Sequence, residues 1–418
     1  MTSESRVSPP DDIETARPPR QAAFVFIFIT ILLDMLALGI IMPILPKLVE
    51  SFVDRDTASA ARIFGLFGTA WAGMQFICAP ILGALSDRFG RRPVILASNF
   101  GLACDYLLMA WAPSLPWLFL GRLLSGATAA SISTAFAYLA DITAPEERAA
   151  VFGKVGAAFG AGFVIGPALG GLLGQIDLHL PFWAAAGLGL ANTLYGFFVL
   201  PESLPRDRRS AFQWRKANPV GALTLLRSRS GLLGLAGVNF LAQLAHTVLP
   251  SVYVLFAAFR YGWSELLIGL SLALVGLASI VTRWFVVGPA VKRFGERNAL
   301  LIGYGFGSAG FLMLALIPHG IGALIGIVPL ALWAIADPAM QGAMSRRVGA
   351  DEQGRLQGAT ASVQSIAQLV GPFLFTLTFA YFIAPSAPLM LPGAPFLVAA
   401  GLLVAAMMAA TRAVARTR

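Results

Sequence analysis

Charge is scarce in this 418-residue sequence: only 12% of the residues are Asp, Glu, Lys or Arg, whereas roughly 25% is usual for a soluble domain. So few charged side chains cannot keep the surface of a water-soluble fold of this size hydrated, which excludes an ordinary soluble protein. Cysteine is scarce as well. The two cysteines, Cys78 and Cys104, both lie inside apolar runs, and this excludes a secreted disulfide scaffold.

Sequence patterns that mark enzymes are also missing. There is no Walker A sequence, so ATP is not the energy source, and there is neither an H-E-x-x-H sequence nor a paired-cysteine metal site. Gly303, Gly305 and Gly307 form an isolated G-x-G-x-G that follows no strand, which indicates helix packing and not nucleotide binding. We therefore predict a protein that is not an enzyme and that uses no metal or other cofactor.

Long apolar runs are what the chain has in abundance. Hydrophobic residues make up 57% of it, and its mean hydropathy is +0.75. A transmembrane helix needs roughly 20 apolar residues, and the runs are continuous, which excludes the alternating pattern of a transmembrane barrel. Twelve transmembrane helices are predicted, at 21–46, 60–84, 92–112, 116–140, 147–173, 182–200, 230–257, 264–290, 297–317, 320–345, 355–381 and 391–411.

The net charge of +9 follows from the positions of the basic residues. Nearly all of them fall in the two tails and in the even-numbered connections between the predicted helices. Lys47, Arg55, Arg62 and Arg260 are the ones on the opposite side. By the positive-inside rule both termini are cytoplasmic, and no nucleic-acid partner is needed to explain the positive charge.

The predicted helices form two groups of six. Residues 1–20 are polar and proline-containing, and we predict a disordered cytoplasmic tail. Residues 21–200 are an N-terminal six-helix bundle, 201–229 a basic cytoplasmic linker, 230–411 a C-terminal six-helix bundle and 412–418 a cytoplasmic tail.

A weak repeat at one fixed offset of 205 residues relates the two groups. Duplicated halves with an even number of helices share one orientation, which is typical of a secondary transporter with its substrate path between the halves. The predicted fold is therefore an all-α membrane protein with two pseudo-symmetric six-helix bundles. The matched residues are Gly83, Arg88, Phe89, Gly90, Arg92, Glu147, Gly153, Gly166 and Pro167 with Gly288, Arg293, Phe294, Gly295, Arg297, Glu352, Gly358, Gly371 and Pro372.

The strongest motif is the stretch 83–92, GALSDRFGRR, which we place in the loop between the second and third helices. It resembles the signature loop of the major facilitator superfamily, and the resemblance implies the major facilitator fold. A basic loop that serves topology alone is the other interpretation. The residues expected to act as a conformational latch are Gly83, Asp87, Arg88, Gly90, Arg91 and Arg92.

Further motifs are similar to those of twelve-helix drug–proton antiporters. They are 38–46, 121–126 and 162–171; the last is typical of exporters and is carried by Gly162, Gly166, Pro167, Gly170 and Gly171. The same residues can also serve as a small-residue packing face. The stretches 34–43, 74–80, 105–108, 121–126 and 338–342 are similar to bacterial tetracycline/proton antiporters.

This resemblance implies proton-coupled export of drug-like compounds, tetracycline-type or multidrug, across a bacterial inner membrane. The expected partners are a small-molecule substrate, protons and the lipid bilayer, and the protein is expected to be a monomer. The second half departs from the pattern, because Phe306 and Ala278 stand where that family has an acidic residue and a histidine. A metabolite transporter or an importer on the same fold therefore stays open as an alternative.

Charged residues inside predicted helices are costly and usually functional. Asp34 lies near the middle of the first helix, and desolvation favours the neutral form of a carboxyl, so we predict that Asp34 binds the coupled proton. A structural hydrogen bond to a neighbouring helix is the alternative role. Asp105 and Arg122 lie at one depth in the third and fourth helices, and we count both among the proton-coupling residues. The two can pair with each other, or Arg122 can face the cavity and set the proton affinity of Asp34.

Arg283 and Asp337 lie at similar depth in the eighth and tenth helices. An ion pair with a purely structural role and a substrate contact are both compatible with that placement. Further polar residues lie on helices that we expect to line the cavity. The predicted substrate-cavity residues are Gln75, Asn239, Gln243, His246, Arg283, Asp337 and Gln341.

Overall fold

The computed structural model describes residues 20–129, 131–144, 147–210, 223–228, 231–349 and 352–415. Every regular element in these residues is a helix. Eleven helical segments of the described chain are long and apolar enough to cross a membrane. One of them, Glu265–Leu316, has 52 residues and is broken at Gly295, which is enough for two crossings. The predicted twelve-helix membrane fold is confirmed.

We number the spans 1 to 12 along the chain. Span 1 comprises Arg20–Ile41 and Leu45–Ser51; span 2, Thr57–Phe89; span 3, Arg91–Ala110; span 4, Leu115–Thr128 and Ser131–Ile142; span 5, Arg148–Ile176; span 6, Leu180–Val199; span 7, Leu232–His246 and Val248–Tyr261; span 8, Glu265–Val281, Thr282–Val286 and the part of Val287–Leu316 before Gly295; span 9, the part after Gly295; span 10, Gly320–Ile325, Ile327–Leu332, Trp333–Ile335 and Ala336–Ser345; span 11, Gln353–Ile383; span 12, Ala394–Ala415.

Several helices extend beyond the apolar runs that predicted them. Span 2 begins at Thr57 because Asp56 caps it: the Asp56 carboxylate accepts a hydrogen bond from the Ala58 backbone N–H at 3.1 Å. It then continues to Phe89, beyond the predicted end at residue 84. The motif at 83–92 is therefore not the loop that we predicted, since Gly83–Phe89 is helical and only Gly90, with a φ of 107°, breaks the chain before span 3.

The connections that follow spans 2, 4, 6, 8 and 10 lie at the same end of the bundle as the two termini. We call this the basic end, because nearly all Lys and Arg residues lie there. The linker is described at 201–210 and at 223–228, where it includes the helix Thr224–Ser228. Most of the predicted N-terminal tail, the linker residues 211–222 and 229, and residues 416–418 lie outside the described residues.

Each half has its own helix packing. In the first half, span 1 packs against spans 5 and 6, and span 3 packs against spans 4 and 6. In the second half, span 12 packs against spans 7 and 9, and span 9 packs against span 10. Buried apolar side chains such as Phe182 in the first half and Phe256 and Phe311 in the second fill these contacts.

The two halves meet mainly through two pairs of helices, span 2 with span 11 and span 5 with span 8, and span 7 makes smaller contacts with spans 1 and 2. The first contact is far from the basic end: the Thr69 hydroxyl donates a hydrogen bond to the Leu369 carbonyl at 3.2 Å, and Gly68 packs against Pro372. The second contact is tight near the same end of the bundle, where Gly171 packs against the backbone of Glu265.

Toward the basic end, glycines of the same four spans have no neighbour across the interface. A methyl group built on Gly83, Gly153, Gly288 or Gly354 would meet no described atom within 4 Å. The described glycine contacts between the halves, such as those of Gly68 and Gly171, lie farther from this end. This pattern favours a space between the halves that is open toward the basic end.

Candidate functional site

The second half contains a polar cavity of about 610 Å³. Amide, imidazole, guanidinium and carboxylate groups all face it, together with two aromatic rings. The lining includes Asn239, Gln243 and His246 of span 7, Arg283 of span 8, Tyr304 of span 9, Trp333, Asp337 and Gln341 of span 10, and Thr360 and Gln364 of span 11. Six of the seven predicted cavity residues line this one space; Gln75 of span 2 is not part of its lining.

Three of the lining spans lose regular helical geometry where they reach the cavity. Span 7 is interrupted at Thr247, directly after His246. Span 8 widens into a π-helical turn, Thr282–Val286, which carries Arg283. Span 10 tightens into a 3₁₀ turn, Trp333–Ile335, shortly before Asp337. Interrupted transmembrane helices are tolerated where they line a polar cavity, and π-helical turns occur frequently at functional sites.

Arg283 and Asp337 form an ion pair across the cavity wall. An Arg283 guanidinium nitrogen donates a hydrogen bond to Asp337 Oδ2 at 2.7 Å, and the two side chains are 58% and 52% exposed. Arg283 and Asp337, which the sequence placed at similar depth, are therefore in direct contact. An ion pair this exposed contributes little to folding, roughly 0–1 kcal/mol.

Aromatic and amide groups complete the cavity. The His246 and Trp333 rings lie with their centroids 5.4 Å apart at an interplanar angle of 52°. The Asn239 side chain is 6% exposed, and its Nδ2 has no hydrogen-bond partner. This amide nitrogen is therefore able to donate a hydrogen bond to an acceptor atom in the cavity.

Asp34 lies outside this cavity, buried within the first half. Its carboxyl is 8% exposed, and the Asn192 side chain of span 6 donates a hydrogen bond to Asp34 Oδ1 at 2.8 Å. No ion pair to Asp34 is found in the described part of the chain, and Asp34 Oδ2 has no hydrogen-bond partner. A buried carboxyl without an ion-pair partner in the described residues is compatible with the predicted proton-binding role. The bond to span 6 also matches the structural alternative.

Asp105 and Arg122 form an ion pair with each other, which is one of the two arrangements that their similar depth allowed. Asp105 is fully buried, and Arg122 Nη2 lies 3.1 Å from Asp105 Oδ2. Span 4 can approach this closely because Gly121 packs against the Asp105 carboxylate. Breaking a buried pair leaves the remaining charge uncompensated, which typically costs about 3–5 kcal/mol.

The two halves divide these charged groups between them. At the 205-residue offset, Asp34, Asp105 and Arg122 correspond to Asn239, Gly310 and Ile327. In the other direction, the equivalents of His246, Arg283 and Asp337 are Ile41, Cys78 and Ile132. Within the described parts of the two halves, the buried carboxyls thus lie in the first half and the charged cavity in the second, although the backbone repeats.

The motif at 83–92 is held by an ion network within the first half. The Arg91 guanidinium contacts Asp87 at 2.5 Å and Asp141 of span 4 at 3.1 Å. The backbone N–H groups of Arg91 and Arg92 donate to the Glu202 carboxylate at 2.8 and 3.3 Å. Arg88 stacks over Phe89 with 5.1 Å between the guanidinium carbon and the ring centroid.

A second ion pair occupies the equivalent place in the other half with its charges exchanged. Glu296 and Arg346 correspond to Arg91 and Asp141 at the 205-residue offset, and they form a bidentate pair. The hydrogen bonds that Arg346 donates to the Glu296 carboxylate raise the pKa of Arg346 above its usual value. Gly90 and Gly295 both have positive φ, 107° and 71°, and the backbone turns that precede the two pairs therefore also repeat.

The exporter motif is a packing surface between the halves. Gly162 and Gly166 contact the span 1 backbone near Met35 and Gly39, and Gly170 contacts Ile40. Gly171 and Pro167 lie against span 8, near Glu265 and Gly269. The packing interpretation of these glycines is therefore correct; their placement between a buried-carboxyl helix and a cavity helix is compatible with the expected role in export.

Several residues of these sites were not predicted from the sequence. Asn192, Asp141 and Glu202 are paired with the predicted residues, but each is distant in sequence from its partner. The repeat itself carried a signal for one pair, because Asp141 and Arg346 occupy equivalent positions with opposite charge. Tyr304, Trp333 and Gln364 line the cavity and resemble ordinary residues of an apolar helix in the sequence.

Comparison with known proteins gives consistent matches over most of the chain. The profile of the Major Facilitator Superfamily matches residues 27–372. The chain is 43% identical over 358 residues to the tetracycline resistance protein, class C, of Escherichia coli, which covers 86% of this chain and 90% of that protein. It is 39% identical over 351 residues to the class B protein of Escherichia coli, with 83% and 86% covered. Among solved structures, the nucleoside transporter NupG (D323A mutant) superposes with a TM-score of 0.78 at 13% identity, covering 94% of this chain and 99% of that one.

Proposed function

Because the chain belongs to the Major Facilitator Superfamily, within the group that includes the tetracycline resistance proteins, we propose that it is a proton-coupled antiporter that exports drug-like compounds. Tetracycline is the first candidate substrate, because that compound gives the relatives their names. The membrane is the bacterial inner membrane, and protons moving inward down their gradient drive the drug outward.

The polar cavity between spans 7, 8, 10 and 11 is the observation that carries the proposal. Its volume of about 610 Å³ lies within the usual range of about 300–1,000 Å³ for drug-sized ligands. The Trp333 ring can stack on a planar ring system, and the amides and Arg283 can donate to ligand oxygens. Asp337 can accept from a ligand ammonium group in place of Arg283.

The positive-inside rule places the basic end in the cytoplasm. With both termini there, the ends of spans 2, 5, 8 and 11 whose glycines lack a neighbour face the cytoplasm, and this supports an inward-open state. An exporter must collect its substrate in this state. Closing the basic end and opening the opposite end by rotation of the two halves would then present the cavity to the outside.

In this account the proton and the drug bind in different halves. Asp34 takes up a proton from outside when the cavity faces outward and releases it to the cytoplasm in the inward-open state. The exporter motif links the two sites, because its glycines pack on span 1 on one side and on span 8 on the other. A change in the position of span 1 on protonation can therefore move a cavity helix.

Drug accumulation in everted membrane vesicles tests the proposal. The vesicle interior is acidified by respiration, and tetracycline is added outside, on the side that was cytoplasmic. We expect accumulation by the wild type, loss of it when an ionophore collapses the pH gradient, and no accumulation by Asp34→Asn. Asp54→Asn, a carboxyl in an exposed turn, is the matched control and should behave as the wild type.

Three outcomes would contradict the proposal. Accumulation that survives collapse of the gradient would exclude proton coupling. Gradient-driven movement out of the vesicles would indicate an importer. Wild-type accumulation by Asp34→Asn would remove Asp34 from the coupling mechanism.

A further inference from the structure

We infer that Asn192 of span 6 is a positioning residue that holds the Asp34 carboxyl and sets how tightly it binds the coupled proton. The inference rests on the proposed function, and it gives a role to a residue that stands outside every sequence motif of this chain.

Asn192 holds span 1 at two points. Its side chain is fully buried, and its Nδ2 group donates to Asp34 Oδ1 at 2.8 Å and to the Thr30 backbone carbonyl at 3.1 Å. Thr30 precedes Asp34 by one helical turn, so a single amide fixes both the carboxyl and the turn of backbone that carries it. Asn192 therefore determines where the proton-binding group lies.

Among the described residues, no charged group faces Asp34 from the neighbouring spans. Its polar neighbours are the Ser131 hydroxyl of span 4 and the Asn192 amide of span 6, and of the two it is the amide that also bonds the span 1 backbone. Tyr106 of span 3 lies within electrostatic range of the carboxyl, and span 5 presents the backbone of Gly162 to the adjoining turn. The Arg122 guanidinium is bound to Asp105 at 3.1 Å.

A hydrogen bond donated to a carboxylate stabilises the ionised form. Removing the only amide donor should therefore make Asp34 hold its proton more tightly. Hydrogen bonds to charged groups change equilibria by roughly one to two powers of ten, so proton release to the cytoplasm should require a pH about one to two units higher.

The internal repeat argues against a purely structural role. The equivalents of Asp34 and Asn192 in the second half are Asn239 and Leu397. Span 7 packs well against span 12 there, and Leu397 packs against the apolar core. The packing of these two helices therefore does not depend on a carboxyl–amide pair, and the first half has one where proton binding is proposed.

Two atoms of the Asp34–Asn192 pair that lack hydrogen-bond partners also argue against a purely structural role. Asp34 Oδ2 and Asn192 Oδ1 are both buried without a hydrogen-bond partner. A contact that served only stability would leave few such atoms, because each buried unpaired acceptor costs free energy. A carboxyl that must gain and lose a proton cannot have both oxygens permanently saturated.

The test measures gradient-driven drug transport in proteoliposomes as a function of pH on the basic-end side, from about 6 to 9, for Asn192→Leu, Asn192→Ala and Asn192→Gln. Leu keeps the branched shape of Asn but has no donor and is larger. Ala is smaller than Asn and therefore controls for misfolding of the Leu variant, and Gln keeps the amide. Thr193→Val is the control, because the Thr193 hydroxyl bonds only the Gly189 carbonyl of its own helix at 2.8 Å.

We expect the pH of half-maximal rate to rise by about one to two units in the Leu and Ala variants, with the maximal rate recovered at high pH and the KM for drug unchanged. The Gln variant should recover part of the shift, and Thr193→Val should match the wild type. A lower rate with an unshifted pH profile in both the Leu and Ala variants would overturn the inference and assign Asn192 to packing.

Asp34→Asn, measured beside these variants, separates the two claims. If Asp34→Asn still exports drug against a gradient, the proposed role of Asp34 is wrong whatever Asn192 does. If Asp34→Asn is inactive while the Asn192 variants keep the wild-type pH profile, the proposed function stands and only the inference about Asn192 falls.

Discussion

At the scale of single residues, the protein separates charges that must stay buried from charges that must remain available. The Asp105–Arg122 pair is enclosed by spans 3 and 4, whereas the Arg283–Asp337 pair opens into the cavity with more than half of each side chain exposed. Desolvation makes the first pair costly to break, while solvent weakens the second. The first is suited to hold helices in place and the second to exchange partners with a substrate.

Exchange of Arg283 and Asp337 tests that distinction. Arg283→Ala and Asp337→Ala should each reduce transport about tenfold or more, with little loss of thermal stability. The charge-swapped Arg283→Asp/Asp337→Arg protein restores the ion pair but reverses the groups that a substrate meets. If the pair serves substrate binding, the swapped protein stays folded and inactive; recovery of transport to wild-type rates would show a structural pair instead.

Charged residues of the site could be predicted from the sequence, whereas their neutral partners could not. Intramembrane charge is rare, so Asp34, Asp105, Arg122, Arg283 and Asp337 could all be found from the sequence, and rise per residue correctly matched the depths of both ion pairs. Neutral partners carry no such signal. An asparagine or tryptophan in an apolar helix looks the same whether it faces lipid, a carboxyl or a cavity, and only tertiary packing distinguishes these cases.

At the scale of helices, irregular geometry and small residues determine function. The sequence predicts continuous spans, but spans 7, 8 and 10 are interrupted beside the cavity, since hydropathy does not report backbone hydrogen bonding. Helix ends were also missed where a polar helix continues past the apolar run, as at the basic end of span 2. The glycines of span 5 were correctly predicted as a packing face because close approach of two helices requires them.

A pair of glycine substitutions tests the role of that face. Gly170→Ala should destabilise the protein by about 1–3 kcal/mol and reduce transport, because the new methyl group would overlap the Ile40 backbone. Gly187→Ala in span 6 is the control, since a methyl group there meets no described atom within 4 Å. Thermal unfolding in detergent and transport in vesicles measure both effects; equal behaviour of the two variants would contradict the packing described here.

The ion pairs at the basic end should control the rate of conformational exchange. Asp87→Asn and Glu296→Gln each weaken one of the two equivalent networks and should slow turnover several-fold while drug binding changes by less than about twofold, because neither residue lies in the cavity. Equilibrium drug binding and steady-state transport on the same preparations separate the two quantities. Loss of affinity at an unchanged turnover rate would be evidence against this role.

At the scale of the whole molecule, the two halves share one architecture but carry different sites: the proposed proton-binding carboxyl lies in the first half and the polar cavity in the second. The fold, the span count and the internal repeat follow from composition and periodicity, because the bilayer permits few alternatives. The conformational state, that is, the end at which the two halves are apart, does not follow from the sequence. Opening toward the basic end depends on which ends of spans 2, 5, 8 and 11 are in contact, and those contacts must exchange during transport.

Cysteine labelling tests the direction of opening. In a background lacking Cys78 and Cys104, Thr360→Cys should react quickly with a charged, membrane-impermeant thiol reagent supplied at the basic end, because Thr360 lines the open cavity. Thr69→Cys, at the closed contact between spans 2 and 11, should react at least tenfold more slowly. Comparable rates at the two positions would contradict the inward-open arrangement.

Drug-induced proton movement tests whether drug export and proton flux are coupled in one transport cycle. Vesicles with an acidic interior, a pH-sensitive dye and the basic end of the protein facing outward should release protons when tetracycline is added outside. The wild type should show saturable proton release that matches the kinetics of drug entry, and Asp34→Asn should show neither flux. Drug entry without accompanying proton release, in the wild type, would contradict the account of this chain as a proton-coupled exporter.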